Sequence, residues 1–286
     1  MKVRKLLSMV VVAAMSVGII AGCGNSSDKS DSNAGTNSGG GIKGTVSTNG
    51  STSMENVISS LIEAYNEKNP DVTITYDATG SGTGITAASE GTTDIGLSSR
   101  HLKEDEKGLT ETVIALDGIA VIVNKNNKVD DLTLEQIADI ATGKIKNWSE
   151  VGGEDSPITV IGREAGSGTR DGFESIVDVA DSCVYDQELT STGAVIAAVS
   201  ANEYSIGYAS LSAVSDEVSA IKVDGVECSE ESVLEGTYKI QRPFAMITND
   251  STDLSNAAKS FMDFAKSEEV QDIITAAGAV PASKQS

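Results

Sequence analysis

Apolar positions along the chain alternate between two periods. Residues 43–48 read as a short strand. After Asn49-Gly50-Ser51-Thr52-Ser53-Met54, the side chains Val57, Ile58, Leu61, Ile62 and Tyr65 share one helical face as far as Asn69-Pro70. Residues 72–76 form a β-branched strand, residues 80–85 lead into a helix passing Ala87, Ala88 and Glu90, and residues 93–100 read as another strand. An apolar stretch from Thr112 to Asn124 is interrupted by Asp117-Gly118. Leu134, Ile137, Ala138, Ile140 and Ala141 then predict a helix ending at Gly143. Residues 158–161 form a buried strand, and a helix opens at Arg170 and runs to about Asp181. A helix over 192–199 and a strand over 205–209 follow, whereas the acidic stretch 214–237 has no assignable period. A second apolar strand covers 241–248, and two helices close the chain, Leu254 to about Lys266 and Glu268 to about Ala277.

Strands alternating with helices imply an α/β fold on parallel or mixed sheets. The apolar runs at 117–124 and 241–248 read as two crossings between lobes, so that one lobe takes both chain ends and the other the middle. The only tryptophan, Trp148, lies in a turn-rich connection and reads as an anchor in a small core.

The chemistry sits where strands hand over to helices. Between the strand at 158–161 and the helix after it lies Gly162-Arg163-Glu164-Ala165-Gly166-Ser167-Gly168-Thr169-Arg170. The first amides of a helix have no partner within it and the dipole there is positive. Glycine lets such backbone approach an anion, Ser167 and Thr169 add hydroxyl donors, and Arg163 adds a planar fork matched to two oxygens. The stretch reads as a socket for a small tetrahedral anion. An ordinary loop with a solvated arginine has the same composition, and Ser51, Thr52 and Ser53 at the first junction also read as plain helix caps. Repetition favours the socket, because Ser51-Thr52-Ser53 and Gly80-Ser81-Gly82 are junctions of the same kind. Ser98, Ser99 and Arg100 end the strand at 93–100, on the side where open α/β sheets take ligands. Arg100 equally suits an ion pair.

Several classes of function are excluded. Gly80-Ser81-Gly82-Thr83-Gly84 lacks the spacing of a dinucleotide fingerprint, and no phosphate-loop motif ending in Gly-Lys-Ser/Thr occurs. With one histidine, His101, and no close Cys/His spacing, the chain predicts no metal site and no cofactor. The formal net charge of −21 argues against nucleic acid and anionic lipid as partners. An anion is still held by contact, since exposed charges are screened beyond about 8–10 Å.

Lys2, Arg4 and Lys5 followed by an apolar run from Leu6 to Ile20 predict a secretion signal too short for a comfortable membrane span. Ile20-Ala21-Gly22-Cys23 resembles the lipobox at which bacterial lipoproteins are cleaved and acylated, which makes Cys23 the lipidation site. Losing the three basic residues takes the net charge from −21 to −24. Residues 24–41, rich in Ser, Asn, Gly and Asp, read as a flexible tether reaching roughly 25 Å. Cys183 and Cys228 remain as either a disulfide or two free buried thiols.

In order along the chain, Gly50-Ser51-Thr52-Ser53-Met54, Gly80-Ser81-Gly82, Asp94-Ile95-Gly96-Leu97-Ser98-Ser99-Arg100, Asp117-Gly118-Ile119-Ala120-Val121, Ile145-Lys146-Asn147-Trp148, and Arg163 with Ser167-Gly168-Thr169 form a specific set. They resemble the phosphate-binding proteins of bacterial ABC phosphate-uptake systems, in their lipid-anchored form, over nearly all of the mature chain. The resemblance implies a type II periplasmic-binding-protein-like fold, each lobe a mixed sheet flanked by helices and joined by two crossing strands. The expected division is a signal peptide at 1–22, lipidated Cys23 with its tether at 23–41, lobe I at 42–121 plus 244–286, and lobe II at 122–243. It implies a non-enzymatic monomer on the extracellular face of a Gram-positive cell membrane. That monomer would pass inorganic phosphate to the permease and ATPase subunits of an ABC transporter.

Carried over by position, the phosphate contacts are Thr52, Ser53, Ser81, Ser99, Arg163, Ser167, Gly168 and Thr169. The chain departs from the family at Ser53, where some members carry an aromatic residue, and at Ser99, where some carry an aspartate that accepts the proton of hydrogen phosphate and so rejects sulfate. Ala165 is apolar where a carboxylate partner for the arginine can occur. Ser51, Arg100, Asp117 and Asp94 are candidate additional site residues, the two aspartates as substitutes for the missing acceptor. The rival readings are another oxyanion such as sulfate or molybdate, and a sensory or adhesive surface lipoprotein. A secreted phosphatase is a third, disfavoured for want of a metal set or an activated nucleophile.

Overall fold

The computed structural model describes residues 41–285. The signal segment, Cys23 and the tether up to residue 40 lie outside the described residues. Among the described residues no helix is long and apolar enough to cross a membrane.

The first half of the fold is built from β1 (Gly44–Gly50), α1 (Glu55–Lys68), β2 (Val72–Ala78), α2 (Ser81–Ser89), β3 (Ile95–Ser98) and the long β4 (Leu109–Asn124). The middle adds β5 (Asp131–Leu132), α3 (Leu134–Ala141), β6 (Thr159–Arg163), α4 (Gly168–Ile176), β7 (Gln187–Leu189), α5 (Thr192–Ala201), β8 (Ser205–Ser210), β9 (Val218–Ala220), β10 (Lys222–Val223) and α6 (Glu230–Leu234). The chain then returns through β11 (Gln241–Asn249), α7 (Asn256–Lys266), α8 (Gln271–Ala276) and β12 (Val280–Pro281).

One curled mixed sheet runs in the order β2-β1-β3-β11-β4-β8-β6-β7. Its two ends are parallel, β1 with β2 and β3, and β6 with β7 and β8. The centre is antiparallel, where β4 takes β11 along one half and β8 along the other. Two apolar cores lie on either side of this centre. One gathers Val57, Ile58, Leu61 and Tyr65 of α1 with Phe244, Met246 and Phe261. The other gathers Ile119–Val123 with Trp148, Phe173, Val195 and Tyr238. The fold is thus two-lobed, with β4 and β11 passing between the cores. Helical spacing on α1 buries the face the sequence marks, and Tyr65 meets Phe261 and Phe264 edge-on at 5.3 Å. Trp148 is buried in the second core, with Nε1 donating to the Tyr204 carbonyl at 2.9 Å.

Three elements differ from the sequence reading. The helix expected to reach Asp181 ends at Ile176, and Asp178 and Asp181 both adopt left-handed backbone at φ 59°. Aspartate tolerates that conformation, and the turn lets Val177 and Val179 both enter the core. The crossing strand expected at 117–124 begins earlier, because β4 runs from Leu109 through Asp117-Gly118 without a break. Asp117 is neutralised by Arg242 opposite it on β11, and Gly118 is packed so closely that a Cβ would meet Cys228 Sγ at 2.6 Å. The stretch without a period at 214–237 holds β9, β10 and α6, the last opened by a capping box at Ser229 and Ser232.

Cys183 and Cys228 are free, one half-buried and one buried. Burial pushes their thiols up to about 11 and about 12. The thiolate is the nucleophile, so at pH 8 about one molecule in a thousand or fewer is reactive at either site. Alkylation read by mass at each residue is expected to leave both unmodified in native protein and to modify both in denaturant. Stoichiometric native labelling of Cys228 would contradict the packing.

Candidate functional site

Every strand-to-helix junction singled out in the sequence lies at the carboxyl end of a parallel strand. β1 leads through Ser51 to a short 3-10 turn at Thr52–Met54 and into α1; Ser51 Oγ accepts from Ser53 N at 3.3 Å. β2 leads to Ser81 at the start of α2, and β3 ends at Ser98 just before Ser99. β6 ends on Arg163, and Ser167 caps α4 by accepting from Arg170 N at 3.3 Å.

These residues meet between the lobes, and nearly all are buried. Ser53 Oγ lies 2.8 Å from Thr169 Oγ1 and 2.9 Å from Thr192 Oγ1, and Thr52 Oγ1 lies 3.2 Å from Thr192 Oγ1. Ser81 Oγ accepts from Ser99 N at 3.0 Å and sits 3.1 Å from Ser99 Oγ. Gly82 N donates to Gly166 O at 2.9 Å, which ties α2 to the loop before α4. Gly168 faces Ser81 and Ser99 so closely that a Cβ would lie 2.7 Å from Ser99 Oγ and overlap Ser81 Oγ. Glycine is required there because the backbone of one lobe rests on hydroxyls of the other.

Arg163 is 1 % exposed. Its Nε and Nη2 donate to the two carboxylate oxygens of Glu164, each at 2.9 Å, and Nη1 donates to Thr192 Oγ1 at 3.2 Å. Glu164 therefore supplies the carboxylate partner that the sequence comparison sought at Ala165. The backbone behind the guanidinium is braced as well. Arg163 N donates to Tyr208 Oη at 3.1 Å, and Tyr208 stacks on Phe173 at 4.2 Å. A bidentate guanidinium held by one edge keeps its remaining donors in a fixed direction.

Of the additional candidates, Ser51 acts as a cap. Arg100 does not join the cluster. It holds Glu106 through Nη1 and Nη2 at 2.8 and 2.7 Å and pairs with Asp171 of α4 at 3.0 Å, where Lys103 also pairs at 3.0 Å. That trio is a rim contact between the lobes. Asp94 is bound at Ser47, accepting from its N at 2.7 Å and its hydroxyl at 2.8 Å. Asp117 is fully buried, with Oδ2 accepting from Arg242 Nε and Nη2 at 3.1 and 2.9 Å and Oδ1 accepting from Ser210 Oγ at 2.7 Å. Burial pushes the Asp117 carboxyl up against the pull of Arg242, and pulls Arg242 down. Arginine stays protonated in proteins, so the pair is ionic.

Two residues of the cluster escaped the sequence reading. Thr192 opens α5 after the three-residue strand β7, and Thr190-Ser191-Thr192-Gly193 carries the same hydroxyl-and-glycine signature as the other junctions. Arg242 is the second residue of β11, just ahead of the run Pro243–Ile247, and a charge in that position was the available signal. Among the described residues no group of three or more metal-ligating side chains is gathered.

Residues 35–269 match the PBP superfamily domain. The chain is 35 % identical to the phosphate-binding protein PstS of Bacillus subtilis (strain 168), over 98 % of this chain and 95 % of that protein. Among solved structures, a Clostridium perfringens protein described as a candidate phosphate ABC transporter substrate-binding protein, with phosphate bound, superposes at a TM-score of 0.81 and 48 % identity. The match covers 84 % of this chain and all of that one. An ABC-type phosphate transport receptor from Vibrio cholerae superposes at 0.68 with 33 % identity, covering 82 % of this chain and 99 % of that one.

Proposed function

Because this chain belongs to the PBP superfamily and, within it, to the family of phosphate-binding proteins PstS, we propose that it is an extracytoplasmic receptor that closes two lobes on inorganic phosphate and delivers it to an ABC transporter. One observation supports this above the others. Thr52, Ser53, Ser81 and Ser99 from one lobe and Arg163, Ser167, Gly168 and Thr169 from the other converge on a single buried locus between the lobes. In this reading Arg163 grips two oxygens, the first amides of α4 receive a third, and the hydroxyls of Thr52, Ser53, Ser81 and Ser99 complete the tetrahedron. Closure follows because neither lobe alone satisfies the anion.

We assign the lobes to 42–121 plus 244–286 and 122–243, with Cys23 as a lipid anchor on the extracellular face of a Gram-positive membrane. The chain would act as a monomer and not as an enzyme, meeting the permease and ATPase subunits of its transporter. Titration calorimetry of ligand-stripped protein is expected to give a one-to-one phosphate isotherm at about micromolar affinity or tighter. Absence of phosphate binding in folded protein would sink the proposal and favour a sensory or adhesive surface lipoprotein.

The close approach of Gly168 to the opposite lobe gives a sharper expectation. Gly168→Ala is expected to weaken phosphate binding by about 5- to 150-fold, since added core volume typically costs about 1–3 kcal/mol. The overlap with Ser81 and Ser99 is relieved by parting the lobes, so thermal stability without ligand should change little. Wild-type affinity in that variant would show that the lobes do not close to this contact.

A further inference from the structure

Behind the Arg163 guanidinium, the amide and the carbonyl of that residue are both taken by side chains that are not among the proposed phosphate contacts. β6 pairs with β8 in register through Ile161, so the amide of Arg163 lies past that ladder and donates instead to Tyr208 Oη at 3.1 Å. Its carbonyl accepts from Arg170 Nη1 at 3.0 Å. Arg170 Nε donates in turn to Glu174 Oε1 at 2.7 Å, one turn along α4, and Tyr185 Oη donates to the same oxygen at 2.9 Å. The Tyr185 and Tyr208 hydroxyls lie 3.1 Å apart. A hydroxyl has one proton, and Tyr185 directs its own at Glu174, so Tyr208 is the donor to Tyr185. Burial raises both phenols, which keeps them neutral. The bonds close a ring that leaves Arg163 by its amide, passes Tyr208, Tyr185, Glu174 and Arg170, and returns to its carbonyl. Packing holds the ring in place. Glu174 is buried, the Arg170 guanidinium lies 4.9 Å from the centre of the Tyr185 ring, and a Cβ on Gly162 would overlap that ring.

We infer that Arg170 and Tyr208 are positioning residues of the anion site: through this ring they fix the backbone on both sides of Arg163, so that its guanidinium meets the ligand already aimed. The inference rests on the reading of the cluster as a phosphate site. A long side chain without such support must be ordered when the ligand arrives, and that ordering subtracts from affinity. Glu164 braces the far end of the Arg163 side chain, whereas the ring braces its root. Breaking the ring therefore weakens binding without removing any group that touches the anion.

The test is calorimetric titration of the whole protein with phosphate, with thermal unfolding measured beside it. Tyr208→Phe keeps the stack on Phe173 and removes the oxygen that receives the Arg163 amide. Arg170→Met with Glu174→Gln removes the donor to the carbonyl, keeps the net charge and leaves neither buried charge without its partner. Each is expected to weaken phosphate binding by about tenfold, the worth of one hydrogen bond. The decisive measurement repeats both in an Arg163→Ala background, titrated at millimolar phosphate. With the guanidinium gone, each ring variant should bind within about twofold of its Arg163→Ala parent while still lowering the melting temperature. The same tenfold loss in both backgrounds would show a general loosening of the fold and overturns the inference. Wild-type affinity in either ring variant overturns it too, and leaves phosphate capture intact. If one variant does not fold, the other carries the same comparison. Absence of phosphate binding by folded wild-type protein overturns this inference together with the functional reading beneath it.

Discussion

Arg163→Ala is expected to weaken phosphate binding by at least about thirtyfold and by as much as several thousandfold. Truncating one member of a buried, hydrogen-bonded charge pair costs about 2–5 kcal/mol in binding. Arg163 is such a member, buried, with Glu164 on one edge and Thr192 on the other. The loss is large because the arginine is the only cation among the residues carried over as phosphate contacts, and because the orphaned Glu164 would then oppose the ligand. The fold should persist, since the Glu164 side chain is 26 % exposed and reaches water once freed. Calorimetry with a thermal-unfolding control separates the two effects. Affinity within threefold of wild type would mean that the helix N-terminus and hydroxyls bind the anion by themselves.

Gly50→Ala is expected to carry the largest stability penalty of any single methyl added to the site's framework. Gly50 ends β1 at φ 144°, and a Cβ there would overlap the Leu97 carbonyl of β3 and lie 2.9 Å from Leu97 N. Left-handed strain costs about 1–3 kcal/mol and overpacking a similar amount, so about 3–5 kcal/mol is expected in total. For a chain of this size that corresponds to a melting temperature lower by about 10 °C. Neither obstacle is a side chain able to swing aside. Because Ser51 N donates to Leu97 O at 2.9 Å, the shift should propagate into the Thr52–Ser53 turn and weaken phosphate binding as well. A melting temperature within 2 °C of wild type would contradict the contact.

The two variants fail for different reasons, which mirrors how the site is built. Arg163 contributes a charge at the ligand, whereas Gly50 and Gly168 contribute the absence of a side chain where two backbones or two lobes must touch. The rim trio of Arg100, Lys103 and Asp171 adds lobe contact without adding ligand contact. It explains why Arg100 read equally well as a site residue and as an ion-pair partner in the sequence.

Local pattern by itself determined the elements and the chemistry at their joints. The period of Val57, Ile58, Leu61 and Tyr65 sets α1, the β-branched run at 72–76 sets β2, and hydroxyls with glycine mark the starts of α2 and α4, because these signals act within a turn or two of chain. Tertiary structure decided what depends on residues distant in sequence. Asp117 and Gly118 interrupt the apolar run, and the charge of Asp117 is buried within β4 against the Arg242 counter-ion 125 residues away. Thr192 joined the cluster because β7, too short to stand out, pairs with β6. Glu164 took the role sought at Ala165 because its side chain folds back along the guanidinium, which no spacing rule specifies. The carboxylates Glu164 and Asp117 were placed the same way, since a carboxylate's availability depends on which cation the fold sets against it, and that pairing is made only in the folded sheet.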